Sequence, residues 1–283
     1  MAEAAELPVF AGPERPRREP GRLLRFFFAE EATGRTQRFA RGLALWTGAY
    51  ALTQWPHRVE LYSRPVLRDG RLDAVLGGWV PPPELVTGLL VVLLAAAATV
   101  AAGRGGRAAR VATAAVFALL VGLEASAPRA YAELAALQWG FVAAAPTGPR
   151  GPRWAARLMM LQLSAVYVFA ALSKLAGGTS WWTGEAVVLV FRSAHQGQHL
   201  LSAWLPLTPG LALLLAWSTI ALELAIGFGL WFARTRPAAA AGLVLLHAGI
   251  AGSMRVSLLF HALMLLHLLL FFGRRGDAGE RGA

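Results

Sequence analysis

The chain has 283 residues, 56% of them hydrophobic and only 15% charged, with a mean hydropathy of +0.50. Soluble domains carry about 25% charged residues, so this composition excludes an ordinary soluble globular protein and points to an integral membrane protein. The net charge of +11 is spread over many short arginine clusters, which argues against nucleic acid as a partner, and the lack of cysteine excludes disulfides and thiolate metal sites within the chain.

In chain order, residues 1–21 are rich in Pro, Glu and Arg and are expected to form a disordered cytoplasmic tail. They hold no signal-peptide-like apolar run. The segment RLLRFFFAEE (22–31) is expected to lie on the membrane surface, with phenylalanines inserted and arginines on phosphates. Eight apolar segments follow, at about 39–55, 84–102, 108–125, 130–146, 154–175, 209–232, 237–254 and 256–272. Several approach the length of about 20 residues that crosses a bilayer core. The fold class expected is all-α, a polytopic integral membrane helical bundle of about eight transmembrane helices over residues 22–273, followed by a short cytoplasmic tail at 274–283.

Arginines orient the bundle. The N-terminal tail, the 103–110 loop, the 147–157 loop, the 233–237 turn and the C-terminal tail are all arginine-rich. With eight spans these five segments fall on one side. The positive-inside rule makes that side cytoplasmic, giving a multi-pass cell-membrane protein with both termini in the cytoplasm.

Within the spans, polar residues need a partner or a role, because a charge in lipid costs several kcal/mol. Counting about 1.5 Å per residue from the nearest inner end puts Gln162, Glu223 and His247 near mid-bilayer, so the three are expected to face one another in one polar layer. Lys174 is the one lysine among 27 basic residues. Arginine stays protonated in proteins, whereas a desolvated lysine can act as a base. The same depth count puts Lys174 near the outer end of its helix, beside Glu133, Arg255 and His261, with Glu185 following in the outer loop. Base, anion site and structural ion pair are all open to it. His195 and His199 have i,i+4 spacing but no third ligand at a motif spacing, so no metal site is expected. His261 and His267 are six apart, which is not one helical face.

The segment LQLSAVYVFAALSKLAGGTSWWTGEAV resembles the HTTM domain, the membrane domain shared by vitamin K-dependent gamma-carboxylase and many stand-alone bacterial proteins. The matching positions are Gln162, Tyr167, Ala170, Lys174, Leu175, Trp182 and Gly184, with further likeness around Glu223 and His247 and in LYSRPVL. The resemblance implies that Lys174 corresponds to a lysine acting as a base in hydroquinone oxygenation. It also implies an outer pocket that includes Tyr167 and Trp182. Two departures are visible. Where the carboxylase has an Asn-His pair this chain has Ala127 and Pro128, and the large luminal substrate-binding region has no counterpart. The reading is therefore an HTTM-type membrane protein resembling that domain and sporulation-delaying-type proteins that assist peptide maturation or export. A membrane enzyme acting on a quinone or other lipophilic substrate, and a non-catalytic binder or transporter, are the alternatives. The partners this implies are the lipid bilayer and a lipophilic small molecule or peptide. The cofactor is left unassigned, with a quinone among the options.

Overall fold

A computed structural model of the protein describes residues 21–63, 77–124, 130–193, 200–201 and 203–272. The order is α1 (Arg22–Phe28), β1 (Glu30–Ala32), α2 (Gly34–Gln54), α3 (Arg58–Tyr62), α4 (Pro83–Ala101), α5 (Gly106–Leu123), α6 (Ala130–Ala144), β2 (Arg150–Pro152), α7 (Trp154–Ala176), α8 (Thr179–Trp182), α9 (Glu185–Arg192), α10 (Pro209–Gly229), α11 (Arg236–Ser253), α12 (Leu258–Leu266) and α13 (Leu268–Phe271).

Helix starts follow local chemistry. Proline occupies the first turn of α4, α10 and α11, where its missing N–H is not needed. The Thr208 hydroxyl caps α10 by accepting from Leu211 N at 3.3 Å, and Ser257 caps α12 by accepting from Leu259 N at 3.3 Å. All eight segments expected to be apolar helices are helical. Four of them, α4, α5, α7 and α10, are long and apolar enough to cross a membrane. The other four fall short of the expected count of eight for different reasons. α2 has the length but carries Arg35, Arg38, Arg41, Gln37 and Gln54. α6 has only 15 residues. α11 begins with Arg236 and Pro237 and carries His247 and three glycines along its continuous length, which lower its hydropathy. The last segment is divided into α12 and α13 at His267.

α2 packs on α4 and touches α6, α12 and α13, while α7 packs on α10, and α10 on α11. The core between them holds Phe39, Leu43, Tyr50, Leu90, Phe117, Trp139, Met159 and Leu163, all almost fully buried. Indole N–H groups tie the helices together. Trp46 Nε1 donates to Leu259 O at 2.7 Å, and Trp139 Nε1 to Thr47 Oγ1 at 2.8 Å. Large apolar side chains such as Phe169, Leu214, Phe228 and Leu245 point outward. On an integral membrane protein these are lipid-facing positions.

The arginine-bearing end is clamped. β1 and β2 pair antiparallel, Glu31 opposite Gly151. Arg153 donates to Phe26 O at 3.1 Å and Arg25 O at 3.0 Å, which fastens α1 across the start of α7. The Arg157 guanidinium lies 4.7 Å from the Phe26 ring centroid and 5.8 Å from that of Trp231. Arg236 donates to Leu230 O at 2.9 Å and Phe271 O at 3.2 Å, and Arg35 to Leu270 O at 3.3 Å. These bonds satisfy carbonyls at helix C-termini that have no intrahelical partner.

Candidate functional site: a buried ion pair joined to a tyrosine–histidine chain

Close helix approach builds the site. Gly227 on α10 sits where an added Cβ would come within 2.6 Å of Val168 Cγ2 and 3.3 Å of Ser164 O on α7. A few residues on, Trp231 Nε1 donates to Ser164 Oγ at 2.7 Å. The C-terminal end of α10 therefore lies beside residue 164 of α7, ten residues beyond its start at Trp154. That offset is about 15 Å at the helical rise.

The offset explains where the polar residues meet. It brings Glu223 to the level of the C-terminal part of α7, where Lys174 Nζ donates to Glu223 Oε1 at 2.7 Å and Oε2 at 2.9 Å. A third contact reaches Ala170 O at 3.4 Å. The three N–H bonds of the ammonium are thereby occupied. The Glu223 side chain is 8% exposed and that of Lys174 17%. The Trp181 ring covers the ammonium, its centroid 5.1 Å from Nζ, which adds cation–π attraction.

A second chain of polar groups begins at Tyr167, about two helical turns from Lys174 along α7. Tyr167 Oη lies 2.6 Å from His247 Nε2, and His247 Nδ1 lies 2.8 Å from His261 Nδ1. All three residues are buried. The chain and the ion pair share α7, on which Tyr167 and Lys174 both lie. The hydrogen bonds admit two consistent directions. In one, Tyr167 donates to His247, and His247 to His261. In the other every bond is reversed. Switching between them carries a proton's worth of charge along the chain. His261 Nε2, at the far end, is buried and without a partner among the described residues.

The expected grouping of Gln162, Glu223 and His247 in one layer needs correcting. Glu223 bonds to Lys174, His247 bonds to Tyr167 and His261, and both amide atoms of Gln162 are buried without a partner among the described residues. Depths counted from each helix's own end omit the ten-residue offset between α7 and α10. The expected outer pocket is also rearranged. Glu185 opens α9 on an exposed surface, and Arg255 is exposed at the turn between α11 and α12. Glu133 lies in the first turn of α6. None of the three bonds to Lys174, and His261 is reached through His247. Trp182 is half-exposed and donates from Nε1 to Leu175 O at 3.1 Å, so the indole over Lys174 is its neighbour Trp181. Four-residue α8 turns the two rings in different directions, and a repeated Trp offers no local signal for which ring turns inward.

Gly184 has a clear steric reason. Its φ is +80°, and a Cβ there would come within 2.6 Å of Leu213 N and 2.7 Å of Ala212 C on α10. The glycine lets α8 and α9 lie against α10 next to the ion pair.

Sequence reasoning passed over two further buried polar pairs. Tyr50 Oη donates to Glu124 Oε2 at 3.0 Å. His267 contacts the Gln138 amide and donates from Nδ1 to Leu263 O at 3.0 Å. Each was signalled only by a polar letter inside an apolar segment. His195 and His199, and the Ala127–Pro128 positions, lie outside the described residues. Among the described residues no group of three or more metal-ligating side chains comes together.

A helical bundle with lipid-facing apolar sides and charged groups buried at depth is a membrane protein, with an acid–base cluster in its interior. A family model described as the HTTM domain matches residues 141–275, which supports the HTTM resemblance seen in the sequence. No curated protein matches the chain, and no solved structure matches it. Every member of the ion pair and of the tyrosine–histidine chain lies inside the matched segment.

Proposed function

We propose that this HTTM-type membrane protein performs acid–base chemistry on a lipophilic substrate, a quinone being the class implied by the resemblance to the gamma-carboxylase membrane domain, with Lys174 as the base. The observation that carries this reading is the bidentate Lys174–Glu223 contact. A proton moved from Nζ to the carboxylate leaves a neutral amine beside a neutral acid, with no change in net charge. In a medium of low dielectric that exchange avoids the cost of an isolated ion. The amine so freed is a base in a dry site, where a lipophilic substrate would be held away from water. The Tyr167–His247–His261 chain gives a route for the proton to leave or return. The cleft lined by Leu200, Gly252, Arg255 and Leu258 opens beside the start of α12, which carries His261, and is mostly apolar.

Two parts of the reading concern placement. The clamped arginine end faces the cytoplasm, and the Lys174 end faces outward. The protein resides in the cell membrane with both termini inside.

The test is oxygenation of an added lipophilic hydroquinone, with dissolved dioxygen as the oxidant and the protein supplying only the base, measured as dioxygen uptake by the purified protein in lipid nanodiscs, with wild type beside Lys174→Arg and Lys174→Ala. Loss of a positioned base typically lowers the rate about 10²–10⁴-fold, and both variants are expected to show it. Wild-type turnover in Lys174→Arg, at normal membrane abundance, would leave Lys174 as a structural cation. Mass spectrometry of molecules that co-purify with wild type separates the substrate classes. A quinone agrees with the enzyme, whereas a bound peptide would move the reading to peptide maturation or export.

A further inference from the structure

We propose that the pocket between α2 and the N-terminal end of α5 binds a phosphate group, presented either by an anionic lipid headgroup or as a free ion. The pocket has a volume of about 110 Å³ and is lined by Gln37, Arg41, Gly103, Arg104, Arg110 and Thr147 among others, with no carboxylate in its wall. It lies at the opposite end of the bundle from Lys174, and most of it precedes the HTTM match at residue 141.

Three independent features point to an oxyanion. First, Arg110 is about nine-tenths buried, and its Nη1 has no hydrogen-bond partner among the described residues. A buried guanidinium with a free N–H carries a large desolvation cost unless an anion meets it. Neither Arg41 nor Arg104 has an ion-pair partner among the described residues either, so the three positive charges on this pocket are uncompensated. Second, α5 begins here. Gly105 is its N-cap and supplies no side-chain cap, which leaves the first-turn N–H groups for a ligand. Third, the glycines make the room. At Gly103, φ +73°, a Cβ would come within 2.5 Å of Arg41 Nη2, so a side chain at 103 would push Arg41 out of its place. Guanidinium groups match tetrahedral oxyanions through paired N–H donors, and Thr147 adds a hydroxyl. The position at the arginine-rich end of apolar helices is where a phospholipid headgroup would sit. The same donors would serve inorganic phosphate.

The experiment uses the full chain and two probes. Native mass spectrometry after reconstitution in nanodiscs of phosphatidylcholine with phosphatidylglycerol measures which lipid stays bound. Titration of inorganic phosphate in neutral detergent measures the free ion. Variants are Arg110→Gln, Arg104→Gln and Arg38→Gln, the last removing one charge from α2 without lining the pocket. Arg104 is exposed, so its variant tests the site even where Arg110→Gln fails to fold. Preferential retention of phosphatidylglycerol, about tenfold weaker in Arg104→Gln and unchanged in Arg38→Gln, assigns the site to a lipid headgroup. Saturable phosphate binding with the same variant pattern and no lipid preference assigns it to the free ion. Binding of neither probe, or an equal loss in Arg38→Gln and Arg104→Gln, would overturn the proposal and leave only diffuse surface charge.

Discussion

Replacing Lys174 with methionine keeps the stem and removes the charge, which leaves the Glu223 carboxylate buried with no cation beside it. Removing one partner of a buried ion pair costs about 3–5 kcal/mol. The geometry predicts that the two halves of the pair are unequal. When Glu223 becomes glutamine, the amide oxygen still accepts one bond from Nζ. The Trp181 ring also stays 5.1 Å away, retaining about 0.5–2 kcal/mol of cation–π attraction. Glu223→Gln is therefore expected at the lower end, about 3 kcal/mol, and Lys174→Met at the upper end, about 5 kcal/mol. The double variant Lys174→Met with Glu223→Leu replaces the pair by apolar groups of similar bulk. Such replacements are often neutral, so it is expected to recover most of the loss, with a coupling energy above about 2 kcal/mol. Reversible unfolding in mixed micelles, titrated with a denaturing detergent and read by tryptophan fluorescence, is measured for wild type, Lys174→Met, Glu223→Leu and the double variant, the four corners of the cycle, with Glu223→Gln beside them. A coupling below about 0.5 kcal/mol, or an Lys174→Met variant as stable as wild type, would refute the buried pair.

Other outcomes follow from single contacts. Gly184→Ala places a Cβ at φ +80° and 2.6 Å from Leu213 N. Backbone strain alone costs about 1–3 kcal/mol, so a marked fall in folded yield by size-exclusion chromatography is expected. Tyr167→Phe leaves His247 Nε2 without its 2.6 Å partner. A loss of about 1–3 kcal/mol in the same unfolding assay, together with slowed turnover, is expected, and unchanged values for both would remove the tyrosine from the chain. For orientation, cysteines at Glu60 and Ala102 suit a thiol-labelling test, because Gly105 at φ +74° would force a Cβ within 2.6 Å of Ala109 Cβ. Labelling of position 60 but not 102 by an impermeant reagent in intact cells is expected, and the reverse pattern would invert the topology.

Much of the architecture was legible because apolar runs and punctuating arginines and prolines are local signals. The start of α7 at Trp154 and that of α10 at Pro209 were read to the residue. Lys174, Glu223, His247 and His261 stood out as polar letters in apolar context, and Tyr167 through the HTTM resemblance. Their pairing was not legible. It depends on how far α10 is displaced along α7, and that displacement is set by Gly227 against Val168 and Trp231 against Ser164. Both are contacts between residues about 60 positions apart, and no periodicity reports them. The same holds for Trp181 over Trp182, where a four-residue helix decides which ring turns inward, and for Arg110, whose burial depends on how α5 sits against α2 and α4.

The arginine end caps have a consequence for how the protein can change. Arg35, Arg153 and Arg236 finish helices by donating to their last free carbonyls, and they also belong to the arginine-rich end that the proposed orientation places in the cytoplasm. Insertion and helix termination thus draw on the same atoms. Neutralising one of these residues loosens a helix end and weakens the vote for orientation together, and an extra arginine elsewhere could restore only the second. On the proposed orientation topology and fold change jointly, which leaves the Lys174 end, where no such arginine caps are seen among the described residues, freer to vary.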